Sequence, residues 1–147
     1  MAHTSTLRKQ HDLIQALVKE IGGVLDSVDT EFGASRVMAL LKRFDSLLRT
    51  HLASEDKLLY PSMMSSEDLE ASQMARRYSE EMGGLVDCWD AFAQDWLDVQ
   101  VIRQQPGIFI AEWKTFISAL NHRIEKENFH LYPLADRIND AGGKLSA

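Results

Sequence analysis

A 3.5-residue apolar repeat that restarts four times limits what this chain can fold into. The first run passes through Leu7, His11, Ile14, Val18, Ile21, Leu25 and Val28, in alternating steps of 4 and 3. That spacing belongs to helices packed side by side at a small crossing angle. Asp29, Thr30 and Gly33 interrupt it. The second run is Val37, Leu41, Phe44, Leu48, His51, Glu55 and Leu58. It is expected to close near Tyr60-Pro61, because proline cannot donate the next helical hydrogen bond. Ser65 or Ser66 is the expected N-cap of the third run, Ala75, Tyr78, Met82, Leu85, Trp89, Phe92, Trp96 and Val99. Pro106 suits a first helical turn. It opens the fourth run, Phe109, Trp113, Phe116, Leu120, Glu127, Leu131, Leu134 and Ile138, which Gly142-Gly143 is expected to end. Four helices with short connections read as an all-α, antiparallel up-down-up-down four-helix bundle, with residues 1–147 as one domain. Gly22-Gly23 and Gly83-Gly84 fall inside the helical runs. The expectation there is close helix approach or a kink, with a thinned wall beside a pocket as the alternative.

Composition narrows the function. Lys plus Arg number 16 against 22 Asp plus Glu, a formal net charge of −6 with no basic run. Such a chain is a poor candidate for nucleic acid or an anionic membrane surface. No apolar run approaches the ~20 residues that span a bilayer. The first residues lack the apolar core of a signal peptide, and a cytoplasmic location is expected. The single cysteine, Cys88, excludes a disulfide framework and is expected to be a small buried residue. No phosphate loop, nucleophile elbow or other enzymatic motif is present.

The informative residues are polar ones on apolar stripes, since an unpaired charge in a core is costly. His11, His51 and Glu55 all lie on seams. His51 and Glu55 are spaced i, i+4 and so project from one face a turn apart. The second half repeats the pattern. Glu55, Leu59, Tyr60 and Pro61 recur as Glu127, Leu131, Tyr132 and Pro133, all at an offset of 72. The preceding histidines, His51 and His122, are offset by 71, one residue out of step. Carboxylates from paired helices with histidines around them are the logic of di-iron bundle sites, and this donor set suits iron or manganese.

These motifs resemble the hemerythrin-like, or HHE cation-binding, family. They are His11, His51-x3-Glu55, His122-x4-Glu127 and the two Leu-Tyr-Pro tails, spread over residues 7 to 138. The resemblance implies a four-helix bundle holding non-haem iron. It implies a role in binding oxygen, in storing or sensing iron, or in responding to nitric oxide or redox state. It also implies His11, His51, Glu55, His122 and Glu127 as metal ligands. At ~100° per residue, His122 and Glu127 stand about 140° apart on a regular helix, so sharing one site requires a wide pocket or a widened turn between them.

The chain departs from the oxygen carriers of that family on its third helix. They place two histidines there, spaced i, i+4, where this chain has Tyr78 and Met82. Tyr78 could serve as a phenolate ligand and Met82 as a weak thioether ligand, or both could simply fill the core. Glu81 could contribute only by turning inward. His130 is expected at the surface or behind a ligand. The expectation is a mono- or di-iron centre with an incomplete third-helix ligand set, at most one tightly held ion, and no reversible oxygen carriage. The alternative is a metal-poor bundle acting as an interaction or regulatory module, with a homodimer as one form of it.

Overall fold

The computed structural model describes the backbone of residues 4–146 and the side chains of residues 4–140. His3 lies outside the described residues. The described chain is helical and contains no strand. Its α-helices are α1 (Thr4–Gly22), α2 (Glu31–Ser54), α3 (Tyr60–Met64), α4 (Leu69–Trp96), α5 (Val99–Gln104), α6 (Pro106–Lys126) and α7 (Tyr132–Ser146). A short 3-10 turn, Leu25–Ser27, follows α1. Two π-helical turns, Glu55–Leu59 and Glu127–Leu131, join α2 to α3 and α6 to α7, so six of the helices form four rods and the short α5 lies in the connection between the third and the fourth. The first rod packs on the second, α3 on α4, α4 on α6, and α7 back on α1.

Helix starts follow local chemistry. The Thr30 hydroxyl accepts from the Gly33 amide at 3.0 Å and caps α2. Asp68 accepts from the Ala71 amide at 3.1 Å, so α4 is capped by Asp68 and not by Ser65 or Ser66. A carboxylate at the cap also meets the positive end of the helix dipole, which favours it over a serine. Pro106 opens α6 as expected.

The second rod corrects its sequence reading. The helix does not stop at Pro61 but continues to Met64. In the π turn the Tyr60 amide bonds to the Glu55 carbonyl, five residues back. Widening the turn relieves the clash between a proline ring and the carbonyl four residues before it. The extra residue also shifts the register. Leu58, expected on the seam, is 69% exposed, and Leu59 and Tyr60 turn inward instead. The fourth rod repeats the device, with the Tyr132 amide on the Glu127 carbonyl just before Pro133. Helix α7 then runs through positions 142 and 143 to Ser146, past the expected stop.

The glycine pairs are also reassigned. Gly22 is the last residue of α1, and the chain turns at Gly23. Gly83 and Gly84 lie mid-helix in α4, yet a Cβ at either would meet nothing within 4 Å. Close approach therefore does not explain them; the alternative fits Gly84, which lines a cavity of about 230 Å³ with Leu85, Cys88 and Ala119. Gly33 is the glycine that close approach requires, because a Cβ there would lie 1.9 Å from the Ser27 carbonyl oxygen.

The core divides into two apolar clusters. The larger is aromatic. The Phe44 ring meets Trp89 edge-on at 5.0 Å and Trp113 at 5.2 Å, tying α2 to α4 and α6. Trp89 Nε1 donates to Asp45 at 2.7 Å. The smaller cluster gathers Leu7, Leu59, Tyr60, Met63, Ala75, Tyr78, Leu131 and Tyr132. Among the described residues, six polar ones are buried with this apolar framework: Thr4, His11, His51, Glu55, Arg123 and Glu127.

Two glycine substitutions test these assignments with opposite signs. Gly83→Ala should stabilise the protein by about 0.5–1 kcal/mol, the helix-propensity difference, in a denaturant titration. Gly33→Ala should destabilise it by about 1–3 kcal/mol through overpacking against Ser27.

Candidate metal centre

Four of the sequence-derived candidates converge. His11 comes from α1, His51 from the last turn of α2, and Glu55 and Glu127 each open a π turn. All four are essentially buried. His11 Nε2 lies 3.1 Å from His51 Nε2 and 2.9 Å from Glu127 Oε1. His51 Nε2 is 3.4 Å from Glu55 Oε1 and 3.7 Å from Glu127 Oε1. Among the described residues, His11, His51 and Glu127 form a group whose ligand atoms all lie within 4.8 Å of one another.

The outward nitrogens fix the ring tautomers. His51 Nδ1 is 2.7 Å from Gln10 Oε1, and His11 Nδ1 is 2.8 Å from Asn128 Oδ1. An amide oxygen only accepts, so each Nδ1 carries the ring hydrogen and donates it. In the neutral rings both Nε2 atoms then present lone pairs to each other and to Glu127.

Two tyrosines complete the cluster. The Tyr132 hydroxyl donates to Glu55 Oε2 at 2.9 Å and lies 3.1 Å from His11 Nε2 and 3.3 Å from Glu127 Oε1. The Tyr60 hydroxyl donates to Glu127 Oε2 at 3.4 Å. Six acceptor atoms, from two imidazoles and two carboxylates, thus share two hydroxyl hydrogens. Glu55 Oε1 is buried with no hydrogen-bond partner.

Titration behaviour follows this imbalance. Burial, reinforced by the Glu127 carboxylate, raises the Glu55 carboxyl well above its usual range. Burial would raise Glu127 as well, but the adjoining His11 and His51 imidazoles, which gain a partner for a proton on Nε2 when Glu127 is ionised, outweigh it and hold that group low. Burial lowers the His51 imidazolium. Burial and the neighbouring carboxylates push the Tyr60 and Tyr132 phenols far up, so both stay protonated. The cluster draws a positive charge to Nε2, while burial opposes a protonated His51 there.

The remaining candidates lie elsewhere. His122 is exposed, because the widened turn begins at Glu127 and leaves the stretch from His122 to Glu127 in regular helix. The inward position is taken by Arg123, which is buried. Its guanidinium lies 4.7 Å over the Tyr78 ring and donates through Nη2 to Glu81 at 2.6 Å. Tyr78 belongs to the smaller apolar cluster and Met82 to the larger, so both fill the core. Glu81 turns to Arg123 and Lys126 at the surface. His130 and Cys88 are exposed, the latter against expectation.

Sequence reasoning passed over Tyr60, Tyr132, Arg123, Gln10 and Asn128. For the tyrosines a signal was present: both follow a seam glutamate by five residues. Arg123 had no such signal, being a charged residue beside a histidine that fitted a motif.

A helical bundle with histidines and carboxylates converging in its interior defines a class, the bundles built around a metal ion. The chain belongs to the hemerythrin HHE cation-binding domain family, whose model matches residues 2–135. No curated protein and no solved structure matches it. No helix among the described residues is long and apolar enough to cross a membrane.

The opposite shifts of the two carboxyls predict unequal responses in the metal-free protein. Glu55→Gln removes one of two like charges and keeps an acceptor for Tyr132, so its stability should stay within about 1 kcal/mol of the unaltered chain. Glu127→Gln replaces a carboxylate that the fold holds in its charged form and weakens the hydroxyl bonds it accepts from Tyr60 and Tyr132, so it should cost about 1.5–3 kcal/mol. Urea denaturation in the presence of chelator measures both.

Proposed function

We propose that this protein holds non-haem iron on His11, His51, Glu55 and Glu127, and uses it to bind or sense oxygen, nitric oxide or iron itself. The observation that carries the reading is the surplus of buried acceptors. Two lone-pair nitrogens 3.1 Å apart, beside two carboxylates, repel one another unless a cation lies among them. Two imidazoles and two carboxylates are a donor set suited to iron or manganese. Bound there, a ferrous ion would supply a redox-active Lewis acid able to take a small diatomic ligand.

The chain's own residues do the rest. Gln10 and Asn128 orient the imidazoles. Tyr132 and Tyr60 hold the carboxylates by their outer oxygens. Leu59, Met63 and Leu131 help wall the site with apolar surface, which strengthens its electrostatics by excluding water. On the α4 side, Tyr78, Met82 and Arg123 offer packing and a fixed positive charge where further ligands would be needed. That supports one ion rather than two.

One specific observation favours a second reading, the metal-poor interaction module. Arg123 already supplies a buried cation, and its charge acts to lower the Glu55 carboxyl.

Metal analysis of tag-free protein should find about one iron or manganese per chain. A ligand that binds only the folded state stabilises it by about 2.7 kcal/mol at a hundredfold excess over Kd. Chelation should therefore lower the melting temperature by roughly 5–10 °C. The double variant His51→Ala/Glu55→Ala should not respond to chelator. An unaltered protein that binds no ion and ignores chelator would favour the interaction module.

A further inference from the structure

The two histidines of the cluster share an unusual support. Each donates its Nδ1 hydrogen to a carboxamide and neither to a carboxylate. The two supports are interlocked. Gln10 precedes His11 in α1 but serves His51 of α2. Asn128 follows Glu127 in the π turn but serves His11 of α1. Both carboxamides are half-buried, and they carry no charge at any pH.

The charge count of the site follows. Two neutral imidazoles and two carboxylates total −2. The nearby Arg123 charge is answered by Glu81 at 2.6 Å. A divalent ion brings the buried cluster to zero, whereas a trivalent ion leaves one uncompensated positive charge in a low-dielectric interior. A carboxylate behind either histidine would reverse that preference, since it adds negative charge and makes the imidazole more basic.

We propose that Gln10 and Asn128 are positioning residues that, by holding both imidazoles through neutral acceptors, set this centre to keep its ion divalent. The inference rests on the metal-centre reading. It assigns the choice of oxidation state to two residues that touch the ligands and not the ion.

The test uses the full chain loaded anaerobically with ferrous iron, with Mn²⁺ as a redox-inert probe of affinity. Gln10→Glu and Asn128→Asp should each retain the ion and raise the ferric-to-ferrous affinity ratio by about tenfold or more, read as a potential lowered by about 59 mV per tenfold. Gln10→Ala leaves His51 Nδ1 without its acceptor and should weaken Mn²⁺ binding by about 10–100-fold with the helical circular dichroism intact. An unchanged potential in both carboxylate variants overturns the proposal, as does loss of the ion from them. Unweakened Mn²⁺ binding by Gln10→Ala overturns it too, and that variant decides the matter if the carboxylate variants do not fold. If the unaltered chain binds neither Fe²⁺ nor Mn²⁺, the metal-centre reading itself fails. If it binds them and the variants behave like it, only the present inference fails.

Discussion

The structure turns on an excess of hydrogen-bond acceptors in a place without water. His11, His51, Glu55 and Glu127 bring six lone-pair atoms together, and the nearby hydroxyls of Tyr60 and Tyr132 can satisfy two of them. A core does not tolerate such a deficit of hydrogens for stability's sake. Replacing the cluster with leucines would give a bundle with less frustration. What the arrangement achieves is a preformed site for positive charge, and the surrounding architecture supports it. Thr4 donates to Asp136 to tie α1 to α7, and α2 is tied to α4 by Trp89 donating to Asp45 and by Arg49 donating to Asp90.

The two π turns make this possible. Each begins at a site glutamate and ends just before a tyrosine whose hydroxyl returns to the cluster. A regular helix advances ~100° per residue, so residues five apart point in quite different directions. One extra residue in the turn brings the tyrosine back toward the glutamate's face. The same widening accommodates Pro61 and Pro133 and moves Leu58 outward. One local distortion, used twice, thus explains the tyrosines, the prolines and the register shift.

Arg123 sets the character of the α4 side. Stacked over Tyr78 and paired with Glu81, it puts a permanent cation near the cluster and fills space with packing atoms. Glu55 lies within reach of that charge, but burial and Glu127 still dominate its titration. The centre is therefore lopsided. Imidazole nitrogen comes from α1 and α2 and carboxylate from the second and fourth rods, and among the described residues α4 adds neither to the cluster.

The sequence by itself determined the helical architecture, because four 3.5-residue apolar seams have no other way to be buried. It also determined His11, His51, Glu55 and Glu127, because polar residues on a seam must face inward wherever the helix stays regular, and the shared offset of 72 tied the two glutamates together. Only the tertiary structure decided what lay beyond the point where the helix stops being regular. Whether the turn widens before or after Glu127 cannot be read from spacing, and it decides between His122 and Arg123 as the inward residue. The carboxamides of Gln10 and Asn128 were equally hidden, since each serves a histidine on a different helix. Such contacts depend on how the rods are set against one another, and periodicity along one rod carries no record of that.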